Sequence, residues 1–350
     1  MAAKSQKNNL NMKILSDYSL TELKTELANL PSFRAKQIFD AIIQSKDYDS
    51  INFSADLKQT LSKEYILKPV EIYKVYTSRD GTKKYLLKLH DNNLVESVFL
   101  HQNYGNTICL STQVGCRMGC KFCASTTNGL IRNLSAGEMI SIIAILNADN
   151  GKCTERNFSN IVLMGSGEPL DNFDNVVKWL KLITHPQGFG VSERNISLST
   201  CGLVDRIYDL AKLNFNITLC VSLHATDDET RKTIMPIANR YTIAEIMTAV
   251  RAYVKENNRR VVFEYCLIDG VNNREQDILA LKTLTRGFKS HINVICLNPN
   301  GGSLKATTRQ QAIQFVERLN LEGVSATLRR SQGDDIAGAC GMLRAKHLQD

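Results

Sequence analysis

The residues best suited to chemistry are three cysteines in one short run, Gly115-Cys116-Arg117-Met118-Gly119-Cys120-Lys121-Phe122-Cys123. The spacing C-x3-C-x2-C lets three thiolates converge from a single loop, which suits an iron–sulfur cluster. A four-iron cluster held by three protein ligands keeps one iron open, where a substrate or cofactor can chelate. A structural zinc site needs four ligands, usually as two close pairs, and the chain has no second C-x2-C and no H-x3-5-H. Chance clustering among ten cysteines is the other competing reading.

Two further cysteines stand apart. Cys109 lies seven residues before Cys116, in the strand-like run TICLST. Cys340 lies in GDDIAGACG (333–341), where the glycines suggest a mobile loop that brings a thiol to a site. Cys153, Cys201, Cys220, Cys266 and Cys296 read as small buried hydrophobes. Polar residues also gather where strand-like runs end: Gly167 and Glu168 in MGSGEP, Ser199 in STCG, Ser222, Leu223 and His224 in SLH, and Asn298 before Pro299. Singly, each reads as structural, a tight turn or a satisfied core histidine. At successive strand ends, they describe one pocket.

The elements that must position these residues follow from periodicity. From residue 107, apolar strand-like runs (TICLST, NIVLMG, NISLST, NITLCVSL, VVFEYCLI, INVICLN, SATLRR) alternate with helical stretches near 135–149, 172–184, 204–213, 242–257, 274–289 and 308–321. Such alternation implies parallel strands covered by helices, with sites at the carboxyl ends of the strands. Six βα units are too few for a closed eight-fold barrel, so the expected class is α/β, a partial (β/α)6 barrel. Ahead of it, residues 1–90 predict a small, mostly helical accessory domain. Ser19 with Glu22 forms a capping-box pattern before Leu20, Leu23 and Leu27, as Ser135 with Glu138 does later. Connecting strands follow: EIYKVYT and KKYLLKLH across the turn Arg79-Asp80-Gly81-Thr82, then LVESVFL. The expected domains are 1–90 and 91–350.

Composition narrows the class of function. The chain of 350 residues has 43% hydrophobic and 22% charged residues, which excludes general disorder. No run reaches the roughly 18 apolar residues of a membrane helix, and the start has no apolar segment of a secretory signal. A cytoplasmic protein is therefore expected, whose cysteines serve as ligands or nucleophiles rather than as a disulfide framework. The net charge is +8, and residues 1–90 carry 15 Lys and Arg against 10 Asp and Glu. That excess suits a polyanion such as RNA, and equally a merely solvated domain.

The cluster loop resembles that of the radical S-adenosylmethionine (SAM) superfamily. The resemblance implies a [4Fe–4S] cluster on Cys116, Cys120 and Cys123, whose open iron binds the amino and carboxylate groups of SAM. It implies reductive cleavage to a 5′-deoxyadenosyl radical, with Phe122 near the adenine and Glu168 taking the cationic amino group. Together with PSFRAKQ (31–37), CLSTQVGC (109–116), SLHA (222–225), MPI (235–237), FEYCLIDGVN (263–272) and GDDIAGACG (333–341), the chain resembles one family along nearly its whole length. These are the dual-specificity RNA methyltransferases that act on C2 of adenine in 23S ribosomal RNA and in tRNA, there at the adenosine 3′ of the anticodon.

The resemblance implies roles as well. Cys340 accepts a methyl group from one SAM, and a second SAM supplies the radical that activates it, so two are used per turnover. The methylene carbon adds to C2, Glu96 removes the C2 proton, and Cys109 attacks Cys340 to form a disulfide and release the RNA. Gly167, Ser199, Ser222, Leu223, His224 and Asn298 are expected around SAM. An electron donor such as flavodoxin, a monomeric state and no membrane partner complete the expectation. The chain departs from the family at Ser166, Gln332, Met342 and Asn300-Gly301. Two other functions compete: methylation at C8, as in the related antibiotic-resistance enzymes, and a non-catalytic iron–sulfur RNA-binding or ribosome-assembly role.

Overall fold

The computed structural model describes residues 12–298 and 303–342. A short β1 (Lys13–Ile14) leads to α1 (Leu20–Glu26), and the expected capping box forms. Ser19 Oγ accepts the Glu22 N–H at 3.3 Å, and the Glu22 carboxylate accepts the Ser19 N–H at 2.7 Å. Pro31 precedes α2 (Ser32–Ile43), which buries Ile38, Phe39 and Ile42 on one face. Then come α3 (Ala55–Glu64), capped by Ser54, and β2 (Tyr65–Ile66), which pairs in parallel with β1.

Three antiparallel strands follow: β3 (Val70–Thr77), β4 (Lys83–Leu89) and β5 (Leu94–Leu100). Residue 90 falls in the turn between β4 and β5, so the chain crosses it inside one sheet. β5 pairs with β6 (Thr107–Cys109), setting Val98 opposite Cys109. A two-stranded ribbon, β7 (Gln113–Gly115) with β8 (Leu130–Asn133), brackets the cysteine loop. It leads into α4 (Ala136–Asp149), which carries the second capping box.

The alternation then runs as β9 (Asn160–Leu163), α5 (Phe173–Thr184), β10 (Ile196–Thr200), α6 (Val204–Lys212), β11 (Thr218–Ser222), α7 (Asp228–Ile234), α8 (Ile243–Asn257), β12 (Val261–Leu267), α9 (Glu275–Thr285), β13 (Ser290–Cys296), α10 (Arg309–Leu321) and β14 (Ala326–Leu328). One ten-stranded sheet has the order β14-β13-β12-β11-β10-β9-β6-β5-β4-β3. It is parallel from β6 to β14, and its end strands β3 and β14 are not paired to each other, so the partial barrel stays open. On β10, Ile196, Leu198 and Thr200 are buried while Ser197 and Ser199 between them are half-buried. The outer face thus packs on helices, and the inner face borders space. Among the described residues, no helix is long and apolar enough to cross a membrane.

Candidate active site

The cysteine loop leaves the β7–β8 ribbon at Gly115. Its φ is +77°, and a Cβ there would lie 2.0 Å from the Gly129 carbonyl oxygen, so only glycine lets the ribbon close under the loop. The Cys116 N–H donates to Gly129 O at 3.0 Å, and the Cys123 N–H to Cys120 O at 3.1 Å. All three thiols line a cavity of about 160 Å³. Burial pushes the Cys116 thiol up to about 12. Burial, then Cys123 and Cys116 beside it, raise Cys120, and burial raises Cys123. A cationic centre bound among them would reverse that preference and make all three thiolates.

A buried cation adjoins the thiols. Arg231 is 0% exposed and donates to Leu223 O at 3.1 Å, Cys201 O at 2.7 Å and Ser222 O at 3.2 Å. Its remaining Nη1 has no partner among the described residues, and burial lowers its pKa against the pull of Cys201 and Cys120. Among the described residues, no three acidic, histidine or cysteine side chains close on one metal ion. Three thiols around a common cavity, with a guanidinium near Cys120 whose Nη1 is unpartnered among the described residues, fit a polyanionic iron–sulfur cluster.

The carboxyl ends of the strands complete this cavity. Glu168 is buried; its carboxylate accepts the Cys201 N–H at 2.7 Å and the Leu170 N–H at 3.0 Å. Burial raises its pKa and those N–H groups oppose the rise. His224 holds a left-handed φ of +57°, rare for a residue with a Cβ. Its Nδ1 accepts the Cys266 N–H at 2.9 Å, so the neutral ring carries its proton on Nε2. Burial, reinforced by Arg231, lowers its pKa to about 3. Phe122 meets the His224 ring edge-on, with centroids 4.6 Å apart. Gly167, Ser199, Ser222 and Asn298 line the same cavity; Leu223 is fully buried in the core instead.

Cys340 borders this cavity and also a second, larger one of about 1160 Å³ that contains Cys109. Asn298 Nδ2 donates to Cys340 O at 2.9 Å, and the Ala124 N–H to Gly341 O at 2.7 Å, docking the C-terminal loop on the cysteine loop. Burial, then Cys340, push the Cys109 thiol up to about 12, and Arg329 pulls it down. Arg329 is itself held above its ordinary value, first by Cys340. Glu96 lies on β5, buried, with its carboxylate 3.3 Å from Lys84 Nζ; it lines neither cavity. Gln332 donates to His101 O at 3.2 Å and accepts from Gln102 at 2.9 Å. Asn300-Gly301 lies outside the described residues.

Arg231, Arg329 and Glu264 are functional candidates that sequence reasoning missed. Glu264 lines both cavities, bonded by Asn293 at 3.0 Å and 3.7 Å from Arg329, and burial raises its pKa. The available signal was its place in VVFEYCLI, where alternation puts it on the inner face with Val262 and Cys266.

The radical SAM superfamily model matches residues 110–281. A probable dual-specificity RNA methyltransferase RlmN of Clostridium perfringens (strain 13 / Type A) is 46% identical over 97% of this chain and 98% of its own length. Another, from Clostridium novyi, is 42% identical over 97% of this chain and 100% of its own. The crystal structure of a radical SAM methyltransferase from Sphaerobacter thermophilus superposes with a TM-score of 0.89 at 37% identity, covering 95% of this chain and 100% of that one.

Proposed function

We infer the function from kinship and site together: the chain belongs to the radical SAM superfamily and, within it, to the dual-specificity RNA methyltransferases. It is a radical SAM RNA methyltransferase. We propose that its target is C2 of adenine in 23S ribosomal RNA and in tRNA at the adenosine 3′ of the anticodon. The observation that carries the chemistry is the place of Cys340, which borders both the cavity of the cluster-loop thiols and the cavity of Cys109.

C2 of adenine is an electron-poor aromatic carbon and does not displace a methyl group from SAM, whereas a thiolate does. Cys116, Cys120 and Cys123 would hold the cluster, and Arg231 would balance its charge. Glu168 would face the amino group of SAM; Ser199, Ser222, the Nε2–H of His224 and Asn298 would hold the rest, with Gly167 letting backbone approach and Phe122 beside the adenine. When bound, the cluster and SAM would supply the one-electron chemistry that activates the methyl group carried by Cys340 for its addition to C2.

The remaining steps belong to the chain. The Cys340 sulfur, beside Arg329, takes the methyl group from the first SAM. Glu96 takes the C2 proton; it lies two residues from Val98, which sits opposite Cys109. Cys109 sulfur then attacks Cys340 sulfur. The S–S bond forms, the S–CH2 bond breaks, and the electron pair left on carbon takes a proton to give the methyl group. Two SAM molecules are used per turnover. Residues 1–90 grip the RNA through their basic excess, and residues 91–350 catalyse; a donor such as flavodoxin keeps the cluster reduced. The enzyme works as a monomer in the cytoplasm.

The test is mass spectrometry of nucleosides from 23S ribosomal RNA and tRNA after incubation with reduced, cluster-loaded protein and SAM. 2-Methyladenosine is expected in both. 8-Methyladenosine in its place would move the reaction to C8. Failure to form 5′-deoxyadenosine would make the protein a non-catalytic binder.

A further inference from the structure

The larger cavity does not stop at the SAM side of the sheet. Alternate residues of the parallel strands face it down to their amino ends: Asn160 and Val162 on β9, Thr218 and Cys220 on β11, Val262 and Glu264 on β12. Arg260 continues that alternation just before β12, and Arg194 just precedes β10. A parallel barrel usually fills its interior with packed side chains. Here the interior is a channel, with the SAM pocket toward the carboxyl ends of the strands and Arg194 and Arg260 at their amino ends.

Arg194, Arg260, Arg309 and Arg330 all line this cavity and are all exposed, the first two at the amino ends of the strands and the last two beyond the carboxyl ends of β13 and β14. None makes an ion pair or a side-chain hydrogen bond among the described residues. The acidic groups of the same wall are already engaged. Glu264 bonds Asn293 and faces Arg329, Asp80 accepts the N–H groups of Thr82 and Gly333, and Asp334 accepts the Ser331 hydroxyl. The rim therefore offers uncompensated positive charge.

One aromatic side chain shares the rim. Tyr104 is 77% exposed, yet its loop between β5 and β6 is pinned. The Gly105 N–H donates to Gln102 O at 3.0 Å, Thr107 Oγ1 to Gln102 Oε1 at 3.0 Å, and Asn106 Nδ2 to Asn157 O at 2.8 Å. A large ring held in water on a fixed backbone is a stacking platform, and unpaired RNA bases are recognised by stacking on such rings. Arginines around it match the phosphates on either side of a base turned into a pocket.

We propose that an RNA strand crosses the mouth at the amino ends of the strands, with Arg194 and Arg260 on its phosphates and Tyr104 stacked on a base next to the nucleotide that enters the cavity. The proposal rests on the RNA methyltransferase reading above. It places RNA and SAM at opposite ends of one channel, with Cys340 bordering both.

The test uses the full, cluster-loaded chain and an unmodified tRNA transcript with adenosine 3′ of its anticodon, labelled at its 5′ end. Binding is followed by fluorescence anisotropy across a salt series, and methylation is measured on the same transcript. In the double variant Arg194→Gln/Arg260→Gln, the slope of log affinity against log salt is expected to flatten by roughly 0.7 for each single-strand phosphate no longer neutralised. Tyr104→Ala is expected to weaken binding about tenfold at fixed salt without changing that slope, and Tyr104→Phe to retain affinity. If the parent protein methylates the transcript while these variants keep its affinity and slope, the proposal is wrong and the methyltransferase reading stands. A weakened double variant with the parent's slope also overturns it, because the arginines then do not meet phosphates. Tyr104→Phe as weak as Tyr104→Ala overturns the stacking role. A parent protein that methylates neither this transcript nor ribosomal RNA removes the reading itself, and the proposal with it.

Discussion

The carboxylate of Asp335 accepts the Ser78 hydroxyl at 2.6 Å, across 257 positions of sequence. The Arg79 N–H adds a second bond at 3.2 Å, and Asp80 returns the contact by accepting the Gly333 N–H at 3.0 Å. The turn between β3 and β4 thus clasps the loop that carries Cys340. The glycines there suggest mobility; the structure shows a docked loop, held at one end by this clasp and at the other by Asn298 and Ala124.

The clasp makes a prediction. Asp335→Ala removes both acceptors, so Cys340 should react with iodoacetamide several-fold faster while methyl transfer slows. Asp335→Asn keeps an oxygen for Ser78 and should fall between. Alkylation and turnover equal to the parent protein in both variants would show that the turn does not position the loop.

The Cys109 thiol should be silent at neutral pH. Burial, then Cys340, hold its pKa at about 12, against about 8.5 for a free thiol. A raised thiol pKa favours the folded state as long as the thiol is protonated. That contribution is complete below about 8.5 in pH and is lost as pH rises through about 12. In pH-dependent alkylation read by peptide mass, Cys109 labelling should keep rising well above pH 9 rather than levelling off. Arg329→Met removes the cation that opposes the shift and should lower the rate further at pH 9. A plateau near pH 8.5 would refute this.

The two non-cluster thiols should fail differently. Cys340→Ala removes the methyl acceptor and should abolish methylated RNA altogether. Cys109→Ala leaves the methyl transfer to Cys340 intact and removes the attacking sulfur, so a protein–RNA adduct should persist on denaturing gels. Normal turnover by the Cys109 variant without adduct would sink the disulfide step.

What the sequence disclosed follows physical lines. The seven parallel strands and six long helices were legible because apolar alternation and capping residues are local signals. Ser19 with Glu22 and Ser135 with Glu138 close the boxes their spacing implies. α7 escaped because Ile234 is the only apolar residue in DETRKTI, which leaves no periodicity to read, although Asp227 caps it. The union of β3, β4 and β5 with the parallel sheet also escaped, since it runs through the pairing of β5 with the three-residue β6, and the six residues between them carry no tight-hairpin signal. The cysteine loop showed itself because its spacing is its chemistry. Arg231 did not, because an arginine in DDETRKTI looks like helix surface until its three carbonyl partners are seen.

Arg231 should contribute to stability chiefly when the cluster is present. Arg231→Met leaves the carbonyls of Leu223, Cys201 and Ser222 without their donor, a loss of about 3 kcal/mol at roughly 1 kcal/mol for each buried bond. The Arg231 Nη1 has no partner among the described residues of the cluster-free protein, and would offset negative charge beside Cys120 in the loaded one. Anaerobic urea denaturation should therefore show a larger loss for loaded than for cluster-free protein, with reduced iron per chain. Equal losses in the two forms would make Arg231 a strut and nothing more.

Gly167 tests whether the Glu168 carboxylate belongs to the SAM pocket. Its φ is +109°, and a Cβ there would lie 2.7 Å from Gln113 Cβ and 2.8 Å from Gln113 N. The clash is with Gln113 N and with the Gln113 Cβ, which moves only with its backbone, so a rotamer change does not relieve it. Gly167→Ala must therefore move the chain just where the Glu168 N–H donates to Gln113 Oε1 at 2.9 Å. A carboxylate displaced by a fraction of an ångström no longer meets a cationic amino group in line, and SAM affinity should fall roughly tenfold or more. Gly270→Ala is the matched control: its φ of +72° carries similar backbone strain, but nothing lies within 4 Å of the added methyl group and it is remote from the cavity. Equilibrium binding of SAM to cluster-loaded protein separates the two. If both variants bind SAM alike, the strain at Gly167 does not reach the ligand, and Glu168 is a structural carboxylate that ties the second and third parallel strands together.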